Sequence, residues 1–126
     1  MADGRLAYVH NFVSLEEHRV RSDVELHPGR RRLGFRFTRT GDHQGTGRLL
    51  VDGEVVGEGP IPRFTPTRFS LTGAGLTCGY SDGLAVTKQY RPPFRFTGRI
   101  IRAVIELDGP AFIDPDGEAR AAIASQ

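Results

Sequence analysis

Four histidines and one cysteine are the side chains in this sequence best suited to bind a metal or attack a substrate. The cysteine, Cys78, has no second cysteine with which to share a metal or a disulfide, and we expect it to be a small apolar residue in or near the core. The histidines have no metal-ligand spacing and none lies in a His-Glu-x-x-His arrangement; they are His10, His18, His27 and His43. These residues predict no metal site and no cofactor.

The serines and glycines also lack the context of catalytic or phosphate-binding motifs. Ser22, Ser70 and Ser81 lie in no nucleophile-elbow sequence. Gly45 and Gly47 precede a strand pattern, whereas dinucleotide binding requires glycines between a strand and a helix. We therefore expect no catalytic residues and no independent enzyme.

Residues 73–90 form the strongest candidate for a binding site. This segment places Tyr80, Ser81, Asp82 and Tyr90 among glycines. Aromatic faces beside hydrogen-bonding groups suit sugar or peptide ligands. Asp82 alone is a poor calcium site, because Ca²⁺ takes at least about six oxygen ligands. The alternative is a turn that only connects two strands.

The elements that must position such a loop are β-strands, and a hairpin is their clearest signal. Asp52 and Gly53 separate two apolar-rich runs, at residues 49–51 and 54–56. A type I′ turn needs positive φ at both central residues, which Asp-Gly tolerates. Further along, Pro60 and Pro62 flank Ile61, which predicts an edge or an irregular crossing there. The hairpin predicts an antiparallel β protein.

Strand patterns recur about every ten residues between turn signals, which favours a β-sandwich. The predicted strands cover residues 6–13, 18–22, 23–26, 33–38, 64–71 and 99–107, with a short one inside 73–83. Period-2 alternation predicts which side chains form the core: Leu33, Phe35, Phe37, Leu49, Val51, Phe96, Ile101, Ala103 and Ile105. The sandwich is expected over residues 1–110. Residues 111–126 are expected to form a tail or short helix with Asp114 or Asp116 as N-cap.

Length and charge narrow the class of protein. A chain of 126 residues with 38% hydrophobic residues suits one domain. The net charge is only +2, so we interpret the cluster of Arg30, Arg31 and Arg32 as a solvated loop end, not as a nucleic-acid site. No apolar run is long enough to span a membrane, and no secretion signal is recognisable. We expect a cytoplasmic protein without nucleic-acid or membrane partners.

Taken together, the motifs resemble the C-terminal region of bacterial arylsulfatases, which follows the catalytic domain as a lectin-like β-sandwich. The similar stretches keep the family's order and spacing and are residues 3–12, 26–29 leading into 33–37, 45–53, 64–70 and 93–100. The loop at residues 77–83 departs from the family. The relatives usually carry several acidic residues in this loop, whereas here only Asp82 is present, and it lies one position away from the family's position. Cys78 lacks the Pro or Ala and the Arg that follow a formylglycine cysteine.

The resemblance implies an all-β, antiparallel, jelly-roll-like sandwich of the concanavalin type. It implies a non-catalytic accessory or binding domain, because no catalytic residue of the family has a position to map onto. Two alternatives stay open. One is a lectin-like module that binds a carbohydrate or sulfated ligand through residues 73–90. The other is the C-terminal part of a divided sulfatase that hydrolyses sulfate esters only with its catalytic chain.

The resemblance also carries an expectation about assembly. In the relatives, the segment like residues 3–8 is the second arm of a hairpin, whereas here only Met1 and Ala2 precede it. We therefore expect a sandwich that lacks strands and exposes an edge beside residues 6–12. A homo-oligomer, or a complex with a sulfatase catalytic chain, would cover that edge.

Overall fold

The computed structural model describes residues 3–12, 14–63, 76–81 and 83–109. Within them the chain is all-β and antiparallel, as predicted, with sheets β1–β2, β3–β4–β5 and β6–β7. No helix there is long and apolar enough to cross a membrane. The strands are β1 (Ala7–Phe12), β2 (Glu16–Arg21), β3 (Leu33–Gly41), β4 (Gln44–Val51), β5 (Glu54–Ile61), β6 (Tyr80–Ser81) and β7 (Phe94–Arg95).

The predicted hairpin joins β4 to β5. Asp52 and Gly53 have φ values of 53° and 96°, so both central residues have the positive φ that a type I′ turn needs. The Asp52 carboxylate accepts hydrogen bonds from the Arg32 N–H at 2.9 Å and the Arg31 guanidinium at 3.0 Å. These contacts, the Arg32 bond foremost, lower the pKa of the Asp52 carboxyl. The turn thus also fixes the loop that enters β3.

The β1–β2 hairpin packs closely on β5. A Cβ on Gly57 would lie 2.5 Å from the Arg21 carbonyl oxygen, and one on Gly59 would lie 3.1 Å from a Val20 methyl group. Among the described residues, the fully buried apolar side chains are Val20, Leu49 and Ile61, with Leu6, Tyr8 and Val56 packed against them. The core of the described residues therefore lies between this hairpin and the β4–β5 part of the sheet.

A register shift in the sheet helps to attach the hairpin. Leu49 is opposite Gly57 but Leu50 is opposite Val55, so Val56 is an extra, bulged residue. Its carbonyl accepts the Asp23 N–H at 2.7 Å. The Val56 carbonyl, which the β4–β5 pairing leaves unused, thus holds the chain where β2 ends.

The structure buries fewer side chains of the predicted core than the sequence pattern indicates. Leu49 is buried as expected, and Val51 is partly buried. Phe35 and Phe37 lie on the expected face, with Phe35 stacked on Tyr8 at 3.7 Å between centroids, yet they are 38% and 49% exposed. The reason is that the β1–β2 hairpin lies mainly over the β4–β5 side of this face and reaches β3 through the Tyr8 ring. The other exposed residues of the predicted set are Leu33, Phe96, Ile101, Ala103 and Ile105.

Two predicted strands are absent where the structure describes them. Residues 23–26 form no strand, and residues 99–107 form no strand. The alternating pattern of residues 99–107 is that of a strand, but a strand also needs a neighbouring chain segment for its hydrogen bonds, and the described residues supply none. The predicted strand at 64–71 and the tail at 111–126, with Asp114 and Asp116, lie outside the described residues.

Candidate functional site

An open groove of about 430 Å³ lies between the β1–β2 turn and residues 85–91. The Asn11 side chain joins its two walls, because its amide donates to the Val86 carbonyl at 2.9 Å while its oxygen accepts the Ser14 N–H at 2.7 Å. The second bond holds Ser14 in the turn at φ 64°. The polar residues that line the groove include Asn11, Glu16, Glu17, Lys88, Tyr90 and Arg91.

Thr87 anchors the second wall. It is only 7% exposed, and its hydroxyl accepts from Arg19 at 2.7 Å and donates to the Glu17 carboxylate at 3.2 Å. Arg19 also forms an ion pair with Glu17. The hydrogen bond from Arg19 is the main cause that lowers the pKa of Glu17. Glu17 is therefore ionised at neutral pH and acts as an acceptor only.

Glu16 is the second carboxylate of the groove. Arg63 binds it through two hydrogen bonds of 3.0 and 2.6 Å, and the His18 ring lies 3.2 Å from the same carboxylate. The Arg63 hydrogen bond is the first cause that lowers the pKa of Glu16. Arg63 also lies over the Phe12 ring at 5.6 Å. A two-point guanidinium contact of this kind fixes the orientation of the carboxylate.

Tyr90 provides the aromatic side chain of the groove. Its hydroxyl accepts the Val86 N–H at 3.2 Å and donates to the Ser81 hydroxyl at 3.3 Å. Its ring packs against Phe94 at 5.1 Å between centroids. Lys88 and Arg91, both exposed, stand beside it. The groove therefore combines an aromatic ring, fixed by its hydrogen bonds and by Phe94, with ionised carboxylates and with cationic side chains.

The four binding residues predicted from the sequence do not all lie at the groove. Ser81 and Tyr90 are brought together by their hydroxyl contact. Tyr80 lies opposite Arg95 in the β6–β7 pair, is 47% exposed and does not line the groove. Asp82 lies outside the described residues. Their role in binding stays a prediction.

Sequence reasoning missed the groove residues of the β1–β2 turn. Asn11 and Glu17 contact Val86 and Thr87 across sequence separations of 75 and 70, and Arg63 binds Glu16 across a separation of 47. No local pattern in the sequence shows these contacts. The available signal was the pair of adjacent carboxylates beside a turn. The prediction that Cys78 lies in or near the core is also wrong, because its side chain is exposed.

Comparisons with known proteins identify no relative of this chain. No family model matches it, and neither a curated protein nor a solved structure does. The arylsulfatase resemblance thus rests on the sequence motifs, and the function that follows is argued from the groove.

Proposed function

We propose that this chain is a non-catalytic binding domain that holds a carbohydrate in the groove between the β1–β2 turn and residues 85–91. One observation carries the proposal: the Tyr90 ring, the Glu16 and Glu17 carboxylates and the exposed Lys88 line the same groove. Binding sites of this size are typically lined by aromatic surface with a few oriented polar groups.

The chemistry of these groups favours a hydroxyl-rich ligand. Ionised Glu16 and Glu17 accept hydrogen bonds from hydroxyl groups, and Lys88 and Arg91 donate to ring and hydroxyl oxygens. The face of an aromatic ring such as Tyr90 suits the apolar face of a sugar. The same two cations would favour a ligand that carries sulfate or carboxylate groups, because charge-assisted hydrogen bonds are the stronger kind.

The proposal includes the architecture and role that the sequence motifs imply. We place the chain in the class of jelly-roll-like sandwiches of the concanavalin type, acting as an accessory domain similar to the C-terminal region of arylsulfatases. The β1–β2 hairpin packed on the β3–β4–β5 sheet supports this, since it gives two layers over one core. Within such a sandwich the groove lies at a turn and a connecting segment, where binding residues are commonly found.

Calorimetric titration with neutral and sulfated oligosaccharides selected on a glycan array tests the proposal. We expect Tyr90→Ala to reduce affinity at least about tenfold, which corresponds to about 1.4 kcal/mol, and Tyr90→Phe to retain most of it because the ring remains. Tyr80→Ala is the matched control and should bind like the unchanged chain. An array without hits, or equal losses for Tyr80→Ala and Tyr90→Ala, would contradict binding in this groove.

Two further variants identify the ligand's charge. Lys88→Ala and Arg91→Ala should weaken sulfated oligosaccharides more than neutral ones, because only the former gain ion pairs. Circular dichroism and thermal melting of each variant check that the fold is retained. Equal effects on both kinds of sugar would show that the cations do not select for charge.

A further inference from the structure

The two edges of the β3–β4–β5 sheet differ in how they are covered. On the β5 side, Asp23 donates to the Val56 carbonyl and the Arg21 carbonyl lies against Gly57. On the other side, β3 pairs with β4 alone among the described residues. Of its nine residues only Gly34 and Gly41 are even partly buried. Within the described residues, the outer edge of β3 therefore has no neighbouring strand, and such an edge can accept one.

A second surface of the chain has the complementary property. Residues 99–107 alternate in the manner of a strand but belong to no strand. Ile101, Ile105 and Leu107 are 66%, 71% and 92% exposed. Apolar side chains exposed together in this way mark an interaction surface.

We propose that residues 100–107 of one copy add to the outer edge of β3 of a second copy, as an antiparallel strand. One register satisfies both faces of the sheet. It sets Glu106 opposite Arg36 on the outer face, and Leu107 and Ile105 opposite Phe35 and Phe37 on the inner face. Opposite charges and aromatic–aliphatic pairs are favourable cross-strand neighbours. Arg36 has no ion pair within the described part of the chain, so its charge is available for Glu106.

A second copy is the occupant because each chain carries both halves of the contact, and no other described part of the chain covers either half. Two such contacts, related by a two-fold axis, satisfy both chains and close the assembly as a dimer. β1 is the weaker alternative edge. All six of its residues are buried or partly buried, and the Asn11 side chain there already binds the Val86 carbonyl.

Light scattering over a dilution series tests this interface. The chain should form a dimer of twice its 13.9 kDa mass. Glu106→Arg and Arg36→Glu should each raise the dissociation constant about tenfold, and the double variant should restore it, because the pair is then reversed and not broken. Glu54→Arg and Arg30→Glu are the matched controls, since both side chains are exposed and lie outside the proposed contact.

Proline variants give an independent test that does not depend on charge. Alternate N–H groups of a strand face its neighbour, so at least one of Val104→Pro and Ile105→Pro must remove a pairing hydrogen bond and abolish the dimer. Neither residue lies in a strand of the single chain, so the melting temperature of the monomer should not change. A monomer at all concentrations, a dimer that survives both prolines, or a double charge variant that stays weak would overturn the proposal.

Discussion

Gly57 shows how one missing side chain permits the two layers to meet. A Cβ at this position would lie 2.5 Å from the Arg21 carbonyl oxygen, which is backbone and cannot rotate away. At Gly34 the nearest heavy atom to such a Cβ, the Leu50 Cβ, would be 3.6 Å away, an ordinary contact. The close approach of β2 to β5 therefore depends on glycine at position 57.

We predict that Gly57→Ala lowers the free energy of unfolding by about 1–3 kcal/mol, the usual cost of forcing atoms into a packed contact. Gly34→Ala, the control on the same sheet, should change it by less than about 1 kcal/mol. Urea denaturation measures both. Equal stabilities of the two variants would show that β2 and β5 are not in such close contact.

Asp52 gives a pH-dependent prediction. Its pKa is lowered in the folded chain, so its carboxylate adds stability above the pKa of the unfolded state, and this is lost as pH falls through the lower folded pKa. Asp52→Asn keeps the turn, because Asn-Gly also adopts type I′. The unchanged chain should melt above this variant at neutral pH, and the difference should vanish in strong acid.

Asp23→Asn is the control for that experiment, because the exposed Asp23 side chain makes no hydrogen bond among the described residues. A melting difference between the Asp52→Asn variant and the unchanged chain that stays constant down to strongly acidic pH would contradict the role assigned to the Asp52 carboxylate.

At the level of elements, the β1–β2 hairpin determines how much of the sheet is protected from water. Leu49 is 1% exposed beneath it, whereas Phe35 on neighbouring β3 is 38% exposed. We predict that Leu49→Ala costs about 2–5 kcal/mol and Phe35→Ala about 2 kcal/mol, below the cost for a fully buried phenylalanine. Denaturation at high dilution measures both. A loss of stability for Phe35→Ala well above about 2 kcal/mol would mean that another part of the chain covers β3.

The same elements show what the sequence could and could not predict. The Asp52-Gly53 hairpin and the face of Phe35 were predictable because turn chemistry and period-2 alternation are local. The depth of burial was not, because it depends on where the β1–β2 hairpin crosses the sheet. The groove was half predictable: Ser81 and Tyr90 lie in a glycine-rich loop, whereas Asn11 enters from a distant hairpin. The pattern of residues 99–107 indicates strand capacity but does not name a partner.

For the whole molecule, the proposed role is binding without catalysis. Sulfate-ester hydrolysis by arylsulfatases, which the sequence motifs resemble, requires a formylglycine and bound metal, and Cys78 lacks the formylglycine motif. We predict that the purified chain releases no product from an aryl sulfate in the presence of Ca²⁺. Turnover that disappears with Cys78→Ala would contradict a non-catalytic domain.

The most direct test of the proposed binding role is to map amide chemical shifts by NMR while an oligosaccharide found on the array is added. We expect shifts in the groove, at Asn11, Glu17, Thr87 and Tyr90, with residues on the far face of the sheet such as Arg48 unchanged. Shifts centred on Tyr80 or on the β3–β4–β5 sheet, with the groove unaffected, would contradict the claim that this groove is the binding site.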